Sequence, residues 1–121
     1  HFRRGERAIE LGNIDVARDF SDVRSVVSAY LRLIELVPVG ATFNVCSGEA
    51  TSLQRVIAMM EDIAGYPIDV QVNPAFVRSN EVKHLRGSRR KLEQATGGLE
   101  WIPIRETLEW MYTASPLPGG P

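Results

Sequence analysis

Apolar positions step through this chain with two different periods, and each change of period marks an element. Between Ala8 and Phe20 the runs AIEL and IDVARDF read as short strands, and Gly12-Asn13 between them supplies turn residues, so a hairpin is expected. From Val23 the period lengthens. Val23, Val26, Val27, Tyr30, Leu31, Ile34 and Val37 recur at three- and four-residue steps, which puts one apolar face on a helix from about Asp22 to Leu36, with Ser21 or Asp22 as its N-cap.

Past Pro38-Val39-Gly40 the run ATFNVCSG is short, β-branched and apolar and ends in small residues, the pattern of a buried strand. Thr51 and Gln54 then have capping-box spacing and open a second helix, whose apolar face is Leu53, Val56, Ile57, Met60 and Ile63 and whose stop is Gly65 with Pro67. IDVQVNP alternates Ile68, Val70 and Val72 as a further strand. Residues 75–87 read as an irregular polar loop, and two shorter helices follow near Arg89–Thr96 and Arg105–Tyr112, with Trp101 and Trp110 at core positions. Strands separated by helices predict an α/β chain with some parallel pairing.

The 121 residues suit one domain, residues 1–115, followed by a flexible, Pro- and Gly-rich tail at 116–121. Hydrophobic residues at 44% and charged residues at 24% lie near the globular average, so the chain should fold. Fourteen basic against fifteen acidic residues give a net charge of -1, which offers no bulk attraction to nucleic acid or to an anionic membrane. The apolar stretch from Ala29 to Val39 is broken by Arg32, Glu35 and Pro38, so no spanning segment or signal peptide is expected. A lone cysteine, Cys46, excludes an internal disulfide and reads as a small residue of the interior. With His1 and His84 it is too few for a structural zinc site, and a reducing cytoplasm fits best. Because the chain begins at His1 rather than Met, residues upstream are expected.

No complete catalytic set is present in the sequence. The ten glycines never take the spacing GxGxxG or GxxGxxG, and neither GxxxxGK[ST], HExxH nor GxSxG occurs. Tyr30, Tyr66 and Tyr112 are followed four positions later by Ile34, Val70 and Pro116, so no Tyr-x-x-x-Lys pair exists. What remains is polar and sits in loops. Arg18, where a strand hands over to a helix, reads on spacing alone as a surface arginine paired with Asp19 or Asp22. Arg78 and Glu81 lie three apart in the polar loop, and Ser47-Gly48 could admit a ligand close to the backbone or merely serve a strand-to-helix turn.

The stretches LGNIDVARDFSDVRSVVSAYLRLIE, FNVCSGEATSLQRVIAMMEDIAG and VRSNEVKHLRGSRRKLEQATG, closing on a Trp-x-Pro and TLEWM, together resemble the C-terminal half of the extended short-chain dehydrogenase/reductases, the NAD-dependent epimerase/dehydratase family. The likeness runs from about Gly5 to Tyr112 and is nearest to the GDP-sugar branch, its reductases more than its dehydratases on the run Asp19-Phe20-Ser21-Asp22-Val23-Arg24. It implies an α/β fold that is the C-terminal substrate-binding part of an extended Rossmann-type enzyme, lacking the N-terminal dinucleotide-binding half. That half would carry NAD or NADP and the Tyr/Lys pair, so this chain alone would bind no cofactor and catalyse no redox step. By the same resemblance Arg18 and Arg78 lie on the diphosphate of a nucleotide sugar and Glu81 on its ribose, roles that suit a planar guanidinium fork and an accepting carboxylate. Ser79 and Asn80 replace the usual Pro and Ser/Thr after Arg78, and Gly87-Ser88 replaces Gly-Asp while keeping an N-cap for the next helix. The partners implied are the nucleotide diphosphate sugar, the missing half and, through an uncovered apolar face, a second copy. A stand-alone, non-catalytic α/β binding module is the alternative.

Overall fold

A computed structural model of the chain describes residues 1–36, 40–77 and 80–114. Its strands are β1 (Ala8–Leu11), β2 (Ala17–Asp19), β3 (Ala50–Ser52), β4 (Asp69–Val72) and β5 (His84–Leu85). Its helices are α1 (Val23–Leu36), α2 (Leu53–Ala64), α3 (Arg90–Thr96) and α4 (Ile104–Thr113). The strands form two small sheets. β1 pairs with β4 in parallel from Ala8↔Asp69 to Leu11↔Val72. β2 is central in the second sheet, antiparallel to β3 with Arg18 opposite Thr51 and parallel to β5 with Arg18 opposite Leu85.

The expected hairpin does not form, because β1 and β2 belong to different sheets. Gly12 serves another purpose: a Cβ there would lie 2.7 Å from the carbonyl oxygen of Phe76, so the residue allows the turn at Pro74–Phe76 to approach. Asn13 then accepts the amide of Asp15 at 2.9 Å and redirects the chain. The run expected as a buried strand, residues 41–46, is also not a strand. A strand of that composition needs neighbours, and none of the described strands pairs with it, so it runs half exposed.

The helices follow their periodicity closely. Asp22 caps α1 by accepting the amide of Arg24 at 2.7 Å. α2 is capped by Ser52, which accepts the amide of Arg55, rather than by Thr51, because Thr51 is held in β3. Gly65 ends α2 at φ 78°, its amide bonded to the Glu61 carbonyl. α3 starts one residue later than expected, with Arg89 at its cap position and no side-chain cap, so Ser88 does not cap it. The proposed tail lies outside the described residues.

α1 packs on α3 through its small residues. Ser25 and Ala29 are buried there, as are Leu92 and Thr96 of α3, and the Ser25 hydroxyl accepts the amide of Ile102. The apolar stripe picked out by periodicity faces outward instead: Val23, Val27, Tyr30 and Leu31 are 50–57% exposed and Ile34 is 80% exposed. The fully buried apolar residues among those described are Val16, Ala17, Ala29, Ile68 and Leu92, a small interior for a chain of this length. Trp110, expected in the core, is exposed, with the Arg24 guanidinium 4.5 Å over its ring. Trp101 is half buried. Among the described residues no helix is long and apolar enough to cross a membrane.

Candidate functional site

The end of β2 is held by one carboxylate. Asp19 Oδ1 accepts the amide of Ser47 at 2.8 Å and its hydroxyl at 2.6 Å, and Oδ2 accepts the amides of Gly48 at 3.0 Å and Gly87 at 3.1 Å. Burial alone would raise the pKa of this carboxyl, but the Ser47 hydroxyl and then the three amides outweigh burial and hold it below the usual carboxylate value. The bonds tie three separate segments to one point. Gly87 is required there, since a Cβ would meet the Cys46 sulfur at 2.5 Å.

Arg18 projects from the same strand into the loop before β5. Its Nη1 donates to the carbonyls of Ala17 at 2.9 Å and Lys83 at 3.4 Å, and Nη2 donates to Glu81 Oε1 at 3.4 Å. The partner is therefore Glu81, not Asp19 or Asp22. Three of the five N–H groups a guanidinium carries are engaged in these contacts. The other Glu81 oxygen, Oε2, is buried and has no hydrogen-bond partner among the described residues. Buried acceptors rarely go unpaired, so this atom is an acceptor awaiting a donor. Two of the three site residues named from the sequence thus meet, while Arg78 lies outside the described residues.

Asp22 is the one fully buried carboxylate among the described residues. It accepts Arg24 Nε and Nη2 at 2.9 and 2.7 Å and the Thr107 hydroxyl at 2.7 Å, and these bonds, that from Arg24 first, hold its carboxyl far below the usual range. This group joins α1 to α4 and stands apart from Glu81 in function.

Around Arg18 and Asp19 opens a cleft of about 480 Å³, lined by Phe43, Asn44, Cys46 and Arg86 among others. Burial, then the Asp19 charge, pushes the Cys46 thiol above its usual pKa, so it is no activated nucleophile. Cys46 is half buried rather than fully interior. The amides of Gly48 and Gly87, the natural cradle for a phosphate in such a turn, already donate to Asp19. The glycine-rich strand-turn-helix that commonly holds a dinucleotide does not occur in the sequence. No cluster of three potential metal ligands occurs among the described residues.

Sequence reasoning missed the part played by Asp19. The signal was available as Asp at a strand end together with Ser-Gly and Gly-Ser turns, but nothing in linear spacing joins them. His84 is an exposed residue of β5 and takes no part.

The described residues thus form an α/β unit with a central Arg-Asp strand and Glu81 beside Arg18. Over the length it shares with them, the chain is similar to GDP-sugar reductases and epimerase/dehydratase-type enzymes, and its α/β fold matches about a third of theirs, as expected of the C-terminal part of an extended short-chain dehydrogenase/reductase. It is 41% identical to the GDP-6-deoxy-D-mannose reductase of Pseudomonas aeruginosa over 100 residues, which are 83% of this chain and 33% of that protein. A crystal structure of a candidate epimerase from Burkholderia cenocepacia J2315 superposes with a TM-score of 0.90 at 59% identity, covering 93% of this chain and 37% of that one. The structure of RMD from Pseudomonas aeruginosa complexed with NADPH gives a TM-score of 0.82 at 36% identity, covering 92% and 36%. No protein-family model matches the chain. The chain spans about a third of the length of the curated relative described here. Kinship with whole enzymes does not favour a stand-alone binding module.

Proposed function

We propose that residues 1–115 form the nucleotide-sugar-binding lobe of an NAD(P)-dependent enzyme of the GDP-sugar branch, and that Arg18, Arg78 and Glu81 hold the nucleotide diphosphate. The observation that carries this reading is the buried Oε2 of Glu81, which has no hydrogen-bond partner among the described residues and is fixed beside a guanidinium that, among those residues, does not use all its N–H groups. A carboxylate so placed accepts hydroxyl hydrogens from a ribose, while its neighbour offers positive charge to the adjoining phosphate. The kinship with a GDP-6-deoxy-D-mannose reductase supports the base and the substrate class.

These side chains bind and orient. NAD or NADP, when bound in the whole enzyme, supplies the hydride chemistry, and the chain's own residues contribute no step of it. The lone Cys46 and near-neutral net charge accord with a cytoplasmic enzyme that takes no nucleic acid.

The rest of the enzyme covers the outward stripe of α1. Five large apolar side chains in one row, on a helix already packed through its small face, form a surface that a soluble protein seldom leaves open. About two thirds of each relative's length lies outside the part this chain matches and is available to cover it.

Calorimetric titration of GDP and UDP into the full-length protein tests the function. Binding of GDP in the micromolar range, tighter than UDP, is expected. Absence of nucleotide binding would refute the reading, and tighter UDP binding would move the protein out of the GDP-sugar branch.

A further inference from the structure

The cleft beside Arg18 holds a second cation that the resemblance does not name. Strand pairing sets Leu85 opposite Arg18, so Arg86 follows one position beyond the pair, level with Asp19, and the Gly87 amide bonded to Asp19 fixes the chain at the next position. Arg86 lines the 480 Å³ cleft together with Arg18, Phe43 and Asn44. Its side chain is exposed and makes no hydrogen bond or ion pair among the described residues. By contrast, Arg18 spends three N–H groups on Ala17, Lys83 and Glu81, and Arg89 is paired with Glu93 at 2.7 Å.

Charge in the cleft is arranged to favour an anion. Asp19 lines it, but both carboxylate oxygens are already saturated by Ser47, Gly48 and Gly87. At the rim, Lys91 Nζ donates to the Thr42 carbonyl at 2.7 Å and lies 4.8 Å over the Phe43 ring, which keeps a further positive charge against the same wall. A guanidinium without a protein partner, on a backbone pinned at both neighbours, has little to reorganise when an anion arrives.

We infer that Arg86 is a phosphate-holding residue of this site, contacting the diphosphate of the nucleotide sugar in addition to Arg18. This rests on the nucleotide-sugar reading above and adds a residue to it. Because the contact is with phosphate, its loss affects nucleotides and spares nucleosides.

The test is calorimetric titration of GDP and guanosine into the full-length protein, wild type against Arg86→Ala, Arg86→Gln and Arg86→Lys, with melting temperatures recorded. Arg86→Ala and Arg86→Gln should weaken GDP about ten- to a hundredfold, leave guanosine unchanged and keep the melting temperature. Arg86→Lys should recover part of the loss, since it restores the charge without the planar fork. If wild type binds GDP and both neutral variants bind it equally well, the assignment of Arg86 fails and the nucleotide-sugar reading stands. Equal weakening of GDP and guanosine would likewise overturn the phosphate contact. If wild type binds no nucleotide, both readings fall together.

Discussion

The hydroxyl of Thr107 donates to Asp22 Oδ2 at 2.7 Å, joining α4 to the first turn of α1 across 85 positions of sequence. The same carboxylate caps α1 and receives the Arg24 guanidinium, so one side chain sets the angle between two helices.

Removing that carboxylate should be costly. Asp22→Ala loses the cap, strips the Arg24 guanidinium of its acceptor and leaves the Thr107 hydroxyl only the Pro103 carbonyl at 3.3 Å, and we expect a destabilisation of about 2 to 3 kcal/mol by urea unfolding of the full-length protein. Thr107→Val, which deletes one bond to a charged acceptor, should cost roughly 1.5 kcal/mol. Losses of only a few tenths in both variants would show that the carboxylate does not hold the helices.

Acid should weaken the fold through Asp19 and Asp22. Both carboxyls are held below their ordinary values in the folded chain, so the unfolded chain binds protons first as pH falls. The stability they contribute is fully present above the unfolded value of about 3.9 and is lost as pH drops through the folded values. Urea midpoints at neutral pH and at several values below pH 4 would reveal this, with a shallower acid slope for Asp22→Asn. A slope identical to wild type would exclude Asp22 as a source.

The corner at Asp19 gives a residue-level prediction. Asp19→Ala strips the amides of Ser47, Gly48 and Gly87 of their acceptor. Hydrogen exchange at these amides should accelerate by an order of magnitude or more, while amides in the middle of α2 stay protected. Uniform acceleration would mean that the whole domain had loosened instead.

Gly87 and Cys46 form a steric pair. Gly87→Ala would drive its methyl into the Cys46 sulfur and should cost about 1 to 3 kcal/mol. Adding Cys46→Ala should recover part of that loss, because the sulfur is the nearest obstacle. Strict additivity of the two substitutions would argue against the contact.

The uncovered stripe of α1 can be probed at Ile34. In the 121-residue chain Ile34→Asp should change stability by no more than about 0.5 kcal/mol, since the side chain is 80% exposed. In the full-length protein, where we propose that the stripe is covered, the same change should cost several times as much, and a small effect in both would refute the covering. Concentration-dependent sedimentation of the 121-residue chain, abolished by Ile34→Asp, would identify a second copy as the occupant.

The helices were legible in the sequence because their signals are local. Periodicity placed α1 and α2, and Gly65 marked the end of α2. What periodicity could not reveal was which way α1 turns its stripe, because in this chain the small residues Ser25 and Ala29 do the packing. The strands were less legible since their partners are remote: β1 next to Gly12-Asn13 looks like half a hairpin, yet it bonds to β4. The three-residue β3 is too short to show a pattern. In the site, residue type and resemblance led to Arg18, Arg78 and Glu81. Asp19 was overlooked because its donors come from 28 and 68 positions away, and Arg86 because only the folding of β5 against β2 brings it to the cleft that Arg18 and Asp19 also line.

The parallel pair of β1 and β4 also constrains how the chain can assemble. Their partner residues stand about sixty positions apart, with β2, α1, β3 and α2 between them. During synthesis β1 is made well before β4, so this pair cannot close until α2 has been made. Phe2–Arg4 is drawn in by the same closure, since Tyr66, just beyond α2, donates its hydroxyl to the Phe2 carbonyl at 2.7 Å. Trimming the first eleven residues would therefore leave β4 as a lone strand with an open edge, and aggregation during refolding would follow.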